Sequence, residues 1–169
     1  SLPKRELDSG WAEVIKHGLI LDSELFRQLE HIGKSSKNEL TSNRMISAIR
    51  YSVKIKSDVV SADEYETGDT RILLNYGHTI GHALEKITKY KKFLHGEAVA
   101  IGMMVAARIS YRIGMIELGV IQRQQAILQQ FNLPVYFEKI DVNSLIEATR
   151  SDKKTREGSI NWVLLTGIG

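Results

Sequence analysis

The stretch Leu74–Glu85 reads LNYGHTIGHALE and puts His78 and His82 four residues apart behind a glycine. Leu73, Ile80, Leu84 and Ile87 recur around it at helical spacing, which predicts a helix over roughly residues 71–90. At about 100° per residue, Arg71, Asn75, His78, His82 and Glu85 fall within about 80° of one another, away from that apolar side. A solvated face is ordinarily built from Lys, Glu and Gln. Arg, Asn and two His in register make better sense as a face turned to a substrate. Gly77 and Gly81 each cost a helix roughly 1 kcal/mol against Ala, which is intelligible where another backbone or a ligand must come close. An H-x-x-x-H pair suits a metal ion, and it equally satisfies ordinary surface hydrogen bonds.

Three neighbouring segments carry more than packing. LHGEAVAIGMMVAARI, Leu94–Ile109, is apolar all the way round and reads as a buried helix. His95 stands at its start, where the helix dipole disfavours the imidazolium, and a neutral imidazole is what a metal needs. An N-terminal capping role for His95 is the other reading. GWAEVIKHGLI, Gly10–Ile20, is a short amphipathic helix. In it Glu13 is one turn from Lys16, as in a surface ion pair, and one turn from His17, as in a helical metal pair. Spacing does not choose between them. In the helix expected over residues 38–61, Met45, Ile49, Val53 and Val60 form an apolar stripe with Lys56 pointing into it. The lysine either snorkels to water or reaches into a polar cleft to hold an anion.

The whole chain sets the frame. Its 169 residues, 43% of them hydrophobic, suffice for one sizeable core. The net charge of +3 is scattered, with neither the basic stripe nor the interleaved aromatics of a nucleic-acid binder. Cysteine is absent, so a metal has only His and carboxylates to sit on. No apolar run reaches membrane-spanning length and no signal peptide opens the chain, so a soluble, cytoplasmic protein is expected. Helices are expected near residues 10–21, 22–33, 38–61, 71–90, 95–114, 117–131 and 142–150. Strand character is confined to VYFE (Val135–Glu138) and INWVLL (Ile160–Leu165). The expected fold is mainly α, with a short β element near the C-terminus. SLPKREL reads as a linker entering from an earlier segment, so that the chain is expected to be part of a larger protein.

The four motifs GWAEVIKHGLI, DEYETGDTRILLNYGHTIGHALE, LHGEAVAIGMM and DKKTREGSINWVLLTGIG together, and in this order, resemble 3-dehydroquinate synthase, within the sugar phosphate cyclase superfamily. The resemblance covers that family's helical C-terminal domain. It implies an N-terminal Rossmann-like domain, absent from this chain, that carries most contacts to NAD. It also implies a homodimer for the full-length enzyme. Carried over by motif, Glu13, His78 and His95 would hold a catalytic zinc or cobalt ion. His82, Lys16 and Lys56 would act on the substrate, and Lys16, Lys56, Arg71, Asn75 and His82 would surround its phosphate, carboxylate and hydroxyls. A further substrate contact is expected from Lys153 or Lys154 in DKK. The family reaction converts 3-deoxy-D-arabino-heptulosonate 7-phosphate to 3-dehydroquinate and phosphate in the shikimate pathway. A hydroxyl is oxidised by NAD⁺, phosphate is eliminated, the hydride is returned and an intramolecular aldol closes the ring. NAD is regenerated, which makes the net reaction that of a lyase. Two rival readings are another sugar phosphate cyclase, such as 2-deoxy-scyllo-inosose synthase, and an inactive helical interaction domain. The intact set Glu13, His78, His82 and His95 speaks against the second.

Overall fold

The computed structural model describes residues 2–34, 39–64, 70–150 and 161–169. Among these residues the chain forms seven α-helices and one 3₁₀ turn. They are α1 (Lys4–Ile20), α2 (Ser23–Lys34), α3 (Glu39–Ala62), the 3₁₀ turn Arg71–Asn75, α4 (His78–Ile87), α5 (His95–Arg112), α6 (Leu118–Gln130) and α7 (Val142–Arg150). The mainly helical expectation holds. No helix among the described residues is long and apolar enough to cross a membrane.

Helix α5 is the axis of the fold because its sequence leaves it no polar side to expose. Ala98, Val99, Ala100, Ile101, Met103, Met104, Ala106 and Ala107 are all buried. Helices α1, α4 and α6 pack along it, α7 closes over α4, and α2 and α3 cover the outer side of α1. Trp11, Ile15 and Leu19, one turn apart on α1, join Phe26 and Leu29 of α2 and Met103 and Met104 of α5 in one apolar cluster. A second, smaller cluster lies between α4, α5 and α7, from Ile80 and Leu84 to Ile101 and Leu145. Asp22 caps α2, its Oδ1 accepting a hydrogen bond from the Leu25 N–H at 2.8 Å.

Several expectations are corrected. Helix α1 begins at Lys4, directly after Pro3, so SLPKREL is mostly helix rather than linker. The helix expected over residues 71–90 is two elements, because Gly77 adopts φ +79°, a left-handed conformation that breaks the ladder between Asn75 and His78. On α3 the core face is Ala48, Ser52 and Val59, with Ile55 partly buried against it, whereas Ile49 and Val53 are exposed. The apolar arc of that helix lies away from the stripe read from its sequence because Ser52 turns inward to meet α1. The short β element does not form among the described residues. Residues 133–138 and 161–165 have no regular secondary structure, and no strand forms among the described residues to pair with them. The second of these segments is tied to α5 instead, with the Leu165 N–H donating to Ser110 Oγ at 3.1 Å.

The crossing of α4 and α5 is close enough to be set by glycine. A Cβ placed on Gly102 would stand 1.9 Å from the Gly77 carbonyl oxygen. The glycines of LNYGHTIGHALE therefore serve backbone approach between two helices. Near the N-terminus of α5, the Ser9 hydroxyl accepts a hydrogen bond from the Gly96 N–H at 3.0 Å, which ties α1 to the first turn that carries His95.

Candidate metal centre

Three elements deliver the candidate ligands to one place. Glu13 projects from the middle of α1, His78 is the first residue of α4, and His95 is the first residue of α5. One ligand atom from each of Glu13, His78 and His95 lies within 4.8 Å of the others. His78 Nε2 is 3.6 Å from Glu13 Oε1, an oxygen that is buried and accepts no hydrogen bond among the described residues.

Hydrogen bonds fix the histidine protons. His78 Nδ1 is 3.1 Å from the Tyr76 carbonyl oxygen. A carbonyl can only accept, so Nδ1 carries the proton and Nε2 keeps its lone pair. His95 Nδ1 is 3.2 Å from Glu85 Oε1 and 3.4 Å from Oε2, which leaves Nε2 as the nitrogen available to a ligand. Two imidazole nitrogens and one carboxylate oxygen thus converge on one point. A divalent cation suits such a set, and two nitrogens with one oxygen leave Zn²⁺ a position for substrate. The His78 imidazole is pushed down to about 4, first by burial and then by the Lys16 ammonium, and so is neutral at physiological pH. Burial alone would raise the Glu13 carboxyl, but Lys16 outweighs it and holds Glu13 below the usual carboxylate range. Capping of α5 falls to Glu97, whose carboxylate accepts the Leu94 N–H at 2.9 Å, and not to His95.

A cleft of about 180 Å³ adjoins this cluster, lined by Glu13, Lys16, His17, Lys56, Arg71, Leu74, Asn75 and His78. Lys16 is only 2% exposed and donates to Glu13 Oε2 at 2.8 Å, so this is a partly buried pair and not the surface pair that its spacing suggested. Arg71 donates to the Glu64 carbonyl oxygen at 3.0 Å, which braces the guanidinium at the cleft. Lys56 is exposed along the cleft wall, although the stripe it was read against is not the core face of α3. His82 stands outside the cleft lining. Its ring is edge-on to His78, with centroids 5.4 Å apart, and lies 6.1 Å from His95. Lys153 and Lys154 lie outside the described residues.

Sequence reasoning gave no role to Tyr76, Ser52 or Glu85. The Tyr76 hydroxyl, fully buried, donates to Gln124 Oε1 at 2.8 Å and so anchors the turn that aims His78. His17 is not drawn to the cluster as a ligand. Its Nδ1 is 2.7 Å from Ser52 Oγ. Only the register of Glu85 with His78 and His82 signalled its presence on the polar face.

His17 gives the metal-free chain a pH signature. Burial first, then the charge of Lys16, pushes its imidazole down to about 4 from an ordinary 6.5. The unfolded chain therefore takes up this proton first as pH falls. The corresponding stability is fully present above about pH 6.5 and is lost toward pH 4, by roughly 3 kcal/mol at most. Urea unfolding across that range, with chelator present, should show a shallower loss in His17→Asn, which keeps an N–H for Ser52. A loss as steep as in the parent chain would assign the effect to other groups.

The fold and the cluster together define a helical domain that sets a carboxylate and two imidazoles beside a cationic cleft. Residues 10–155 match the 3-dehydroquinate synthase C-terminal family, and the chain belongs to that family. It is 44% identical over 172 residues to the 3-dehydroquinate synthase of Prochlorococcus marinus (strain AS9601), and 43% identical over 173 residues to that of Caldanaerobacter subterraneus subsp. tengcongensis. In both cases the alignment covers all of this chain and 47% of the relative, so the chain spans about half the length of these curated relatives. Among solved structures it is similar to a 2-epi-5-epi-valiolone synthase of Streptomyces hygroscopicus subsp. jinggangensis with NAD⁺ and Zn²⁺ bound. The TM-score is 0.85 at 27% identity, covering all of this chain and 47% of that one. A 2-deoxy-scyllo-inosose synthase complexed with carbaglucose-6-phosphate, NAD⁺ and Co²⁺ superposes with a TM-score of 0.74 at 25% identity, with the same coverage.

Proposed function

We propose that this chain is the metal- and substrate-binding half of a 3-dehydroquinate synthase, acting on 3-deoxy-D-arabino-heptulosonate 7-phosphate. The observation that carries the reading is the meeting of Glu13, His78 and His95 at a cleft walled by Lys16, Lys56 and Arg71. Zinc or cobalt held there would polarise a substrate hydroxyl, and NAD⁺ held by a preceding domain would supply the hydride acceptor. The residues of this chain do the rest. Lys56 and Arg71 offer charge-assisted donors to the phosphate and carboxylate, and Asn75 offers an amide to the hydroxyls. Lys16 keeps Glu13 ionised. His82, whose ring centroid lies 5.4 Å from that of His78 and 6.1 Å from that of His95, would contact substrate beside them.

The test supplies this substrate, NAD⁺ and Zn²⁺ to the complete polypeptide and follows phosphate and dehydroquinate. Turnover of glucose 6-phosphate in place of the seven-carbon acid would shift the assignment to another sugar phosphate cyclase, the class of the two solved structures above. Arg71→Ala is expected to lower kcat/KM at least tenfold, roughly 1.4 kcal/mol or more, by removing a clamp on an anionic group. An unchanged kcat/KM would take Arg71 out of the site.

The 169-residue chain alone is expected to bind the divalent ion yet release no phosphate. Hydride transfer needs a nicotinamide in contact with the reacting carbon. Dinucleotide pyrophosphates are usually cradled by glycine-rich turns at a strand–helix junction. Here Gly77, Gly81 and Gly102 are spent on the α4–α5 approach. Phosphate release by the chain alone, near the rate of the complete enzyme, would place the NAD site within these residues.

A further inference from the structure

Glu85 is the candidate that the proposed chemistry leaves without a task. It is 8% exposed on α4, seven residues after His78 and three after His82, and its carboxylate straddles His95 Nδ1. His95 itself is about half exposed, so packing alone does not fix its ring. Its place as the first residue of α5 does not say which nitrogen carries the proton. His78 has that question settled by the Tyr76 carbonyl oxygen, a backbone group. For His95 the corresponding acceptor is a side chain.

We infer that Glu85 is a positioning residue for the metal centre: by accepting the Nδ1 proton of His95 it fixes that tautomer and turns Nε2 toward Glu13 and His78. The inference rests on the metal reading proposed above. A carboxylate behind a ligand imidazole orients the ring and raises its basicity, and loss of such a partner typically weakens metal binding about 10–100-fold. A second arrangement competes with it. His82, Glu85 and His95 also offer ligand atoms within 4.8 Å of one another, so Glu85 could itself bind the ion.

The experiment compares Glu85→Gln and Glu85→Ala with the parent in the complete polypeptide. Zn²⁺ affinity is measured by competition with a chromogenic chelator, the first shell of the Co²⁺-loaded protein by X-ray absorption, and the His95 tautomer by long-range ¹H–¹⁵N correlation. Glu85→Gln keeps the shape but can present its amide N–H to the ring. It is expected to weaken Zn²⁺ about tenfold, to move part of the His95 population to the Nε2–H tautomer, and to keep the number of Co²⁺ ligands. Glu85→Ala should weaken Zn²⁺ more, toward a hundredfold. If Ala prevents folding, the Gln variant decides. Unchanged affinity with an unchanged tautomer overturns the inference, and so does loss of a Co²⁺ oxygen ligand, which would make Glu85 a ligand. Failure of the parent polypeptide to bind Zn²⁺ would instead overturn the metal reading itself.

Discussion

A complete enzyme carrying His78→Ala is expected to lose about a thousandfold or more in kcat/KM, on the order of 4 kcal/mol, and to give up its zinc to a modest chelator. The size of the effect follows from what the side chain does in the proposed centre. Its Nδ1 is held by the Tyr76 carbonyl oxygen, and its Nε2 faces Glu13 Oε1. Removing the ring leaves one imidazole and one carboxylate, too few to hold Zn²⁺ open toward a substrate. The fold should survive, because the turn before α4 is secured by Tyr76 and Gly77 and not by the imidazole. Circular dichroism, zinc stoichiometry after dialysis and turnover separate the two effects. Native-like helicity with full zinc retention would remove His78 from the ligand set.

The helices themselves were legible because their apolar periodicity is strong, and α5 was legible because no polar face could exist on it. The residues that meet at the cluster were nameable only through the family resemblance that their motifs carry. What local sequence could not give was decided by tertiary contact. The break between Asn75 and His78 depends on Gly77 sitting against α5, and a single-helix wheel has no means of anticipating it. The inward face of α3 includes Ser52, a polar residue recruited because His17 of α1 needs a partner there. Lys16 is buried beside Glu13, whereas the i, i+3 spacing alone resembles any exposed ion pair. INWVLL has strand propensity, but β structure needs a neighbouring strand, and among the described residues the fold offers none.

The same tertiary dependence makes Gly102 a sensitive position outside the ligand set. Gly102→Ala would place a methyl carbon 1.9 Å from the Gly77 carbonyl oxygen and 3.0 Å from the Gly81 N–H nitrogen, both of them backbone atoms that cannot rotate away. Helices α4 and α5 must therefore separate, which at the upper end of overpacking costs about 3 kcal/mol. For a chain of this size that lowers Tm by roughly 6–12 °C. The separation also acts on function, since His78 directly follows Gly77 on one helix and His95 begins the other. The variant should consequently recover less Tm on addition of Zn²⁺ than the parent does. Gly119→Ala is the matched control. Gly119 is a helical glycine of α6 with open space where its Cβ would go, so Ala there should stabilise by up to about 1 kcal/mol. Thermal melts of both variants, with and without Zn²⁺, decide the matter. A Gly102→Ala protein that melts and binds zinc like its parent would mean that the α4–α5 approach is not what sets the spacing of the histidines.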